Sequence, residues 1–248
     1  MITERDLKPM SEAFSKITGT GRYNLREVFN DWLEMCICAL AMQKYEQEYL
    51  KVISKYKPEE VKILAELFGW FVNFSNDNLY DDPLGTFYEF FISRGDHGQF
   101  FTPMHICDMM AAMAEPKQGT ICDPCVGAGR TLLAGLKIAR EADFNPNLYG
   151  ADIDHTCVKM SVVNLSLYGV YGEIAWMDSL NLNFHCAYQL RPPTLGGVQI
   201  IKDENQSEFL QASRRKFESE PEPEPTEPDV NKVSVETIEQ ETSQQVLF

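Results

Sequence analysis

Glycine and aspartate residues in the middle of the sequence have the types and the spacing of a ligand-binding edge. Asp123-Pro124-Cys125-Val126-Gly127-Ala128-Gly129 follows a short apolar stretch, and its two glycines would let a ligand approach the backbone closely. Asp152 lies 25 residues after Gly127, where a carboxylate can accept hydrogen bonds from a ribose diol. Asp178 can accept a hydrogen bond from an amino group or bind through water. A dinucleotide site would need a further glycine at position 132, which is Leu, so that pattern is incomplete.

Three predicted strands bring these residues together. The first strand leads into the glycine turn, the second covers Leu148–Asp154 and the third covers Gly172–Asp178. A helix to about residue 142 is predicted after the first strand, and a helix over 155–168 after the second. Strands that alternate with helices predict a right-handed parallel sheet. Ligands of such sheets bind at the carboxyl ends of the strands, where these glycines and aspartates stand.

The first 98 residues are predicted to form helices that precede this sheet. Residues 30–56 have few helix-breaking residues and carry apolar side chains at near-helical spacing, which predicts a helix there. A second helix is predicted from Pro58 to Phe74 and a third from Leu84 to Ser93. The expected fold class is therefore α/β, with an N-terminal helical segment followed by the sheet.

The seven cysteines do not have the spacing of a metal site or of a disulfide scaffold. Cys36 and Cys38 lie inside the first predicted helix, where side chains two positions apart diverge, so core packing is favoured over metal binding. The Cys122-x-x-Cys125 pair lies in the glycine turn and has no second pair to complete a zinc site. We therefore predict no metal site, and this use of cysteine is typical of the reduced cytoplasm.

Composition and charge exclude several classes of protein. The 248 residues carry 22 Lys and Arg against 37 Asp and Glu, a net charge of −15, which excludes a generally basic protein that coats nucleic acid. No apolar run reaches the length of about 18 residues that a membrane span needs, and the first residues lack a signal-peptide core. We expect no membrane association and a cytoplasmic location.

The acidic charge is concentrated at the end of the chain. Residues 203–248 hold 12 acids and 4 bases, a net of −8, and residues 218–228 are dominated by alternating Glu and Pro. Such a segment cannot bury apolar surface, which predicts a disordered, extended tether over about residues 214–242. The predicted organisation is a helical region at 1–98, a ligand-binding sheet domain at 99–213 and an acidic tail at 214–248.

The last five residues, Gln244-Gln245-Val246-Leu247-Phe248, resemble the peptide by which many DNA-processing proteins bind the bacterial sliding clamp. In such peptides an aliphatic and an aromatic anchor enter an apolar pocket, and a glutamine fixes the register. Gln244, Leu247 and Phe248 are therefore the residues predicted to dock on the clamp. The alternative is a frayed chain end without a partner.

Four segments, in this order, resemble the adenine-specific N6 DNA methyltransferases, especially the modification subunits of type I restriction systems. They are the helix at 82–91, the Gln-aromatic-aromatic-Thr-Pro segment at 98–103, the glycine turn at 123–129 and the acidic strand end at 150–154. Met177-Asp178-Ser179-Leu180 adds a weaker fifth match. The resemblance implies S-adenosylmethionine as cofactor and a partial Rossmann-like methyltransferase sheet.

The resemblance also implies which residues bind the cofactor. The glycine turn and Thr102-Pro103 would hold the methionine end, and Asp152 would bind the ribose. Ile153 would form one wall of an adenine slot, with a phenylalanine nearby. The alternatives are core packing for the two phenylalanines and a turn cap for Asp123. The predicted cofactor-binding residues are Phe100, Phe101, Thr102, Pro103, Asp123, Pro124, Gly127, Gly129, Asp152, Ile153 and Asp178.

The catalytic motif of that family, which is Asn, Asp or Ser followed by Pro, Pro and an aromatic residue, has no match in this sequence. Its polar residue accepts hydrogen bonds from the adenine amino group, and its ring stacks on the flipped base. The Pro-Pro pair in Leu190-Arg191-Pro192-Pro193-Thr194 follows an arginine, which has no acceptor, and precedes a threonine, which cannot stack. This segment also precedes the next predicted strand, Val198–Ile201, whereas the family motif follows a fourth strand. The catalytic residues are unassigned, and the foldable residues after 180 are expected to be too few for a complete enzyme.

Two functions from different classes remain open. The first is a DNA adenine-N6 methyltransferase-like protein that binds S-adenosylmethionine and needs a partner subunit or a homo-oligomer for methyl transfer to DNA. The second is a catalytically inactive methyltransferase-fold binding or adaptor protein, which could dock on the sliding clamp through Gln244–Phe248. The retained glycines and aspartates favour a cofactor pocket, and the unmatched catalytic motif favours the second function for the isolated chain.

Overall fold

The structure of the protein, a computed structural model, describes residues 2–42, 44–93, 101–116 and 118–219. The chain divides into two compact units, Met1–Arg214 and Arg215–Phe248, and the sheet and the site belong to the first. No helix within the described ranges combines the length and the apolar character of a membrane span.

Helices occupy most of the described residues before 94, as the sequence predicted. They are α1 (Lys8–Thr18), α2 (Leu25–Leu40), α3 (Glu46–Ile53), α4 (Pro58–Asp77), α5 (Pro83–Phe87) and a π-helical segment (Tyr88–Ser93). The prediction of one helix over 30–56 is wrong, because Met42 has a φ of +54° and this left-handed conformation separates α2 from α3. The predicted helix from Pro58 is confirmed and continues to Asp77.

Aromatic side chains form the core between these helices. Phe14 and Trp32 are fully buried, with ring centroids 5.8 Å apart in an edge-to-face arrangement. The indole N–H of Trp32 donates a hydrogen bond to the carbonyl oxygen of Leu64 at 3.0 Å, so its polar atom is satisfied. The same apolar cluster includes Leu132 and Ile174, which belong to the sheet and its helices. The N-terminal helices therefore support the sheet directly, while the domain boundaries at 98 and 213 remain predictions.

Five strands form one sheet in the order β1-β2-β3-β4-β5. They are β1 (Thr120–Asp123), β2 (Asn147–Asp152), β3 (Gly172–Asp178), β4 (Asn183–Leu190) and β5 (Gln199–Ile201). The first three are parallel, as predicted, and α7 (Arg130–Glu141) and α8 (His155–Ser166) follow β1 and β2. The carboxyl ends of β1, β2 and β3 therefore lie at one edge of the sheet.

Strands β4 and β5 run antiparallel to their neighbours, and the sequence interpretation did not include β4. Only residues 179–182 connect β3 to β4, and a parallel crossover needs a dozen residues or more. Pro192-Pro193 follows β4, which ends at Leu190, and precedes β5, as the sequence predicted. Leu190 pairs with Gly172 at the amino end of β3, so the Pro-Pro pair lies at the opposite end of the sheet from Asp178.

Two further α-helices pack against the sheet layer, and short 3-10 helices lie at Pro193–Leu195 and Glu204–Gln206. The helix α6 (Met104–Ala114) packs on α7 through Cys107 and Ala111. On the other face of the sheet, an apolar cluster joins Phe209 and Leu210 of α9 (Glu208–Ser219) to alanines of β2, β3 and β4. Residues 214–219 are helical, which corrects the prediction that the extended tail begins at 214.

Candidate functional site

The turn after β1 is a glycine loop, residues 123–129, that passes from the sheet edge into α7. Its backbone requires glycine twice, because Gly127 has a φ of +54° and Gly129 a φ of +94°. The Asp123 carboxylate accepts a hydrogen bond from the Cys125 N–H at 2.9 Å and caps the turn. The Val126 N–H donates to the Ala151 carbonyl oxygen at 2.8 Å, which fastens the loop to β2.

Asp152 connects the end of β2 to the glycine loop. One carboxylate oxygen accepts a hydrogen bond from the Gly127 N–H at 2.9 Å, and the other accepts one from the Asp154 N–H at 2.8 Å. Burial raises the pKa of this carboxyl above its usual value, and the two N–H donors oppose that effect by favouring the charged form. Each oxygen keeps a second lone pair, so the carboxylate can still accept a hydrogen bond from a ligand hydroxyl.

Phe101 packs directly on the glycine loop. A Cβ atom on Gly127 would lie 3.0 Å from Cδ1 of the Phe101 ring, so glycine permits this contact. The guanidinium of Arg130 lies over the same ring, 5.3 Å from its centroid. A cleft beside this ring and the glycine loop is lined by Phe101, Thr102, Gly127, Ala128, Arg130 and Thr131. Thr102 and Pro103 are exposed, and Phe100 lies outside the described residues.

Apolar and acidic side chains also stand at the ends of β2 and β3. Ile153 is 70% exposed and Leu180 is 87% exposed, so two large apolar side chains are open to a ligand at this edge. The Asp178 carboxylate accepts a hydrogen bond from the Leu180 N–H at 2.9 Å. The Ser179 hydroxyl donates to the Pro124 carbonyl oxygen at 2.6 Å, which ties the end of β3 to the glycine loop.

A buried ionic network beneath the loop was missed by the sequence interpretation. Nε of Arg130 lies 2.7 Å from Asp82, which is 1% exposed, and Nη2 lies 2.7 Å from Glu89. Asn164 donates one hydrogen bond to Asp82 at 2.7 Å and another to the Ala128 carbonyl oxygen at 3.0 Å. A cation at the first position of a helix is unfavourable because it lies at the positive end of the helix dipole, so acidic partners are expected near it. Arg130 is the first residue of α7, and this position is the signal in the sequence that could have revealed the network.

The structure brings most of the predicted site residues to one edge of the sheet. Asp123, Gly127, Gly129 and Asp152 are joined through the glycine loop, and Ser161 of α8 donates a hydrogen bond to the Gly127 carbonyl oxygen at 2.8 Å. The contacts that fasten the loop come from α5, the π-helical segment, β2, β3 and α8. Gln244, Leu247 and Phe248 lie outside the described residues.

Comparisons with known proteins show which family this part of the chain resembles. Residues 79–190 match the family model of N-6 DNA methylases. The type I restriction enzyme MjaIX methylase subunit of Methanocaldococcus jannaschii is 29% identical over 117 residues, which cover 44% of this chain and 21% of that protein. The type II methyltransferase M.MamI of Microbacterium ammoniaphilum is 36% identical over 111 residues, which cover 36% of this chain and 31% of that protein.

A solved structure described as a modification subunit of a type I restriction enzyme, from Vibrio vulnificus YJ016, is 22% identical to this chain. The match covers 53% of this chain and 28% of that chain, with a TM-score of 0.32. The chain spans between about a fifth and a third of the length of the two curated relatives.

The matched region contains the buried network, the glycine loop and the acidic ends of β2 and β3. The groups that meet at the edge of the sheet thus lie within the part of this chain that matches the family model. Through residues 79–190, the chain is similar to the N-6 DNA methylase family.

Proposed function

We propose that this protein binds S-adenosylmethionine at the carboxyl edge of β1, β2 and β3 and acts in adenine-N6 methylation of DNA together with a partner subunit or a second copy. The observation that carries the proposal is the hydrogen bond between the Gly127 N–H and the Asp152 carboxylate. It joins the segment assigned to the methionine end of the cofactor to the residue assigned to its ribose.

The residues at this edge fit the cofactor in three respects. Asp152 is fixed by two N–H donors and keeps acceptor capacity for a ribose hydroxyl. Ile153 and Leu180 expose apolar surface on which an adenine ring can lie. The cleft beside Gly127 lies between the loop backbone and Phe101, and a Cβ at position 127 would intrude on that ring.

The role of the protein groups at this site is binding and orientation. When bound, S-adenosylmethionine supplies an electrophilic methyl group. Asp152 would hold the ribose through its carboxylate, and the backbone around Gly127 together with Thr102 would hold the zwitterionic methionine end. Fixed hydrogen bonds at both segments keep these groups in place before the ligand arrives, which reduces the entropy lost on binding.

The need for a partner is supported by the position of Pro192-Pro193. This pair follows the antiparallel strand β4 and lies at the end of the sheet opposite Asp152 and Asp178. A group there cannot accept a hydrogen bond from an adenine placed at the cofactor edge. The net charge of −15 also opposes unaided binding to DNA, so we assign DNA affinity and the adenine-binding group to the partner.

Calorimetric titration with S-adenosylmethionine tests the cofactor site. We expect binding by the protein, and we expect Asp152→Ala to weaken it by about tenfold to a hundredfold, because a hydrogen bond to a charged group is removed. Asp77→Ala, which changes an exposed residue at the end of α4, is the matched control. Absence of binding by the wild-type protein at millimolar ligand would refute the proposal.

A methyl-transfer assay on adenine-containing DNA tests the partner requirement. The proposal predicts no transfer by the purified chain and transfer after addition of the missing subunit. Methylation by the purified protein in a monomeric state would contradict the requirement and would assign the adenine-binding group to this chain.

The second candidate is an inactive binding or adaptor protein, and the position of Pro192-Pro193 favours it if no partner restores methylation. A pull-down with a bacterial sliding clamp tests the docking peptide. Deletion of Leu247 and Phe248 should abolish capture, whereas capture that does not change on deletion would eliminate the peptide. Deletion of Val230 and Asn231, which leaves the terminal peptide intact, serves as the control.

A further inference from the structure

Two charged side chains hold the segment that carries Phe101 and Thr102 against the glycine loop. The Phe101 N–H donates a hydrogen bond to Oε1 of Glu89 at 3.2 Å. The other oxygen of Glu89 accepts from Nη2 of Arg130 at 2.7 Å. Nη1 of Arg130 in turn donates to the Thr102 carbonyl oxygen at 3.4 Å, and its guanidinium lies over the Phe101 ring. The N–H, the ring and the carbonyl of this short segment are thus all held by one ion pair.

The ion pair is itself fixed by its surroundings. Arg130 is 7% exposed, and Asp82 holds its Nε while Thr86 accepts a hydrogen bond from Nη2 at 3.2 Å. Glu89 belongs to the π-helical segment Tyr88–Ser93, and π-helical turns are rare and frequently occur at functional sites. Glu89 keeps 31% exposure of its side chain, so it is the member of the network that reaches the surface.

We infer that Glu89, acting through Arg130, is a positioning residue for the amino-acid end of the cofactor. The inference rests on the proposed function and extends it to a residue that does not itself touch the ligand. Glu89 keeps Phe101 on Gly127 and Thr102 beside the cleft, so the backbone that would hold the ammonium and carboxylate groups is ordered before binding. Asp152 is fixed independently, through Gly127 and Asp154, so the ribose subsite does not depend on Glu89.

This division between the subsites gives a test with two ligands. S-adenosylmethionine contains the amino-acid end, whereas 5′-methylthioadenosine has the same nucleoside without it. Glu89→Ala should weaken binding of S-adenosylmethionine by about tenfold and leave the affinity for methylthioadenosine unchanged. Asp152→Ala should weaken both ligands. Glu89→Gln keeps an oxygen for the Phe101 N–H but loses the charge, so its effect should be intermediate.

Hydrogen exchange in the absence of ligand gives a second readout. The Phe101 amide should exchange faster in Glu89→Ala than in the wild-type protein, because its acceptor is removed. Glu66→Ala, in an exposed pair with Lys62 on α4, is the matched control for both measurements. A change in the thermal midpoint of Glu89→Ala comparable to that of an Arg130 variant would indicate general destabilisation and would overturn the inference.

Equal weakening of both ligands, or unchanged affinity for S-adenosylmethionine, would also overturn it. If the wild-type protein binds neither ligand, the proposed function fails, and the exchange experiment alone decides whether Glu89 orders Phe101. Unchanged exchange at Phe101 would then remove the positioning role as well.

Discussion

The backbone N–H of Gly127 and the carboxylate of Asp152 are 2.9 Å apart, so two segments separated by 25 residues meet in one hydrogen bond. The bond forms because both segments end parallel strands at the same edge of the sheet. The bond forms only if the Gly127 N–H points toward the end of β2. The left-handed conformation of Gly127 belongs to the turn that gives the N–H this direction.

Substitution of Gly127 by alanine should destabilise this arrangement. The φ of +54° is strained for alanine, and the added Cβ would lie 3.0 Å from Phe101. We expect a loss of about 1–2 kcal/mol in the free energy of unfolding, measured by urea denaturation. Gly69→Ala, at an exposed position of α4 with no atom within 4 Å of the new Cβ, should be neutral or stabilising. Equal effects at the two glycines would contradict the role of the loop conformation.

Removal of the Arg130 side chain should be strongly destabilising. Arg130→Met leaves Asp82 charged and buried without its cation, which costs about 3–5 kcal/mol in the free energy of unfolding. The double variant Asp82→Asn with Arg130→Met removes both charges. Its loss in the free energy of unfolding should therefore be smaller than the summed losses of the two single variants. Lys62→Met, in an exposed pair with Glu66, should change stability by less than about 1 kcal/mol. Additive losses in the double variant would show that the two charges do not interact.

His155 should contribute a loss of stability as the pH falls from about 6.5 to about 4. Burial lowers the pKa of His155 to about 4, and its neutral ring stacks on Trp176 with centroids 4.1 Å apart. Between these pH values the imidazole of His155 binds a proton in the unfolded state but not in the folded state, so its contribution to the free energy of unfolding decreases by up to about 3 kcal/mol. Urea denaturation at several pH values should show a smaller decrease in His155→Gln. His105→Gln, which changes an exposed histidine of α6, is the control, and identical slopes in wild type and His155→Gln would contradict the assignment.

Glu173 should anchor the first turn of α9. Its carboxylate is fully buried in β3 and accepts hydrogen bonds from the Ser207 hydroxyl, from the Glu208 N–H at 2.9 Å and from the Phe209 N–H at 3.4 Å. Glu173→Ala leaves these donors without an acceptor, with an expected loss of about 1–3 kcal/mol in the free energy of unfolding.

Hydrogen exchange at Glu208 and Phe209 should locate that loss in α9 when Glu173 is changed. Glu173→Gln retains an acceptor oxygen and should be less destabilising than Glu173→Ala. Glu12→Ala, in an exposed pair with Lys8, is the control. Unchanged protection of α9 in Glu173→Ala would mean that apolar packing alone anchors the helix.

Local features of the sequence were sufficient to locate the glycine loop and the acids around it. Gly127 and Gly129 mark a turn because few other residues adopt a positive φ, and Asp152 lies at the end of the second predicted strand. The long helix predicted over 30–56 was wrong because helix propensity did not reveal the break at Met42. The strand β4 was missed although the short connection at 179–182 favours a hairpin.

The sequence by itself determined the strand, turn and helix units, because glycine conformation, apolar spacing and helix starts depend on near neighbours. Only the tertiary structure decided the burial of Arg130, since its partner Asp82 lies 48 residues earlier and the pair forms only when α5 packs on the glycine loop. The same holds for the direction of β4, which sends Pro192-Pro193 away from Asp152. Charge burial and strand pairing depend on contacts between residues that are distant in the chain, so patterns among near neighbours in the sequence could not predict them.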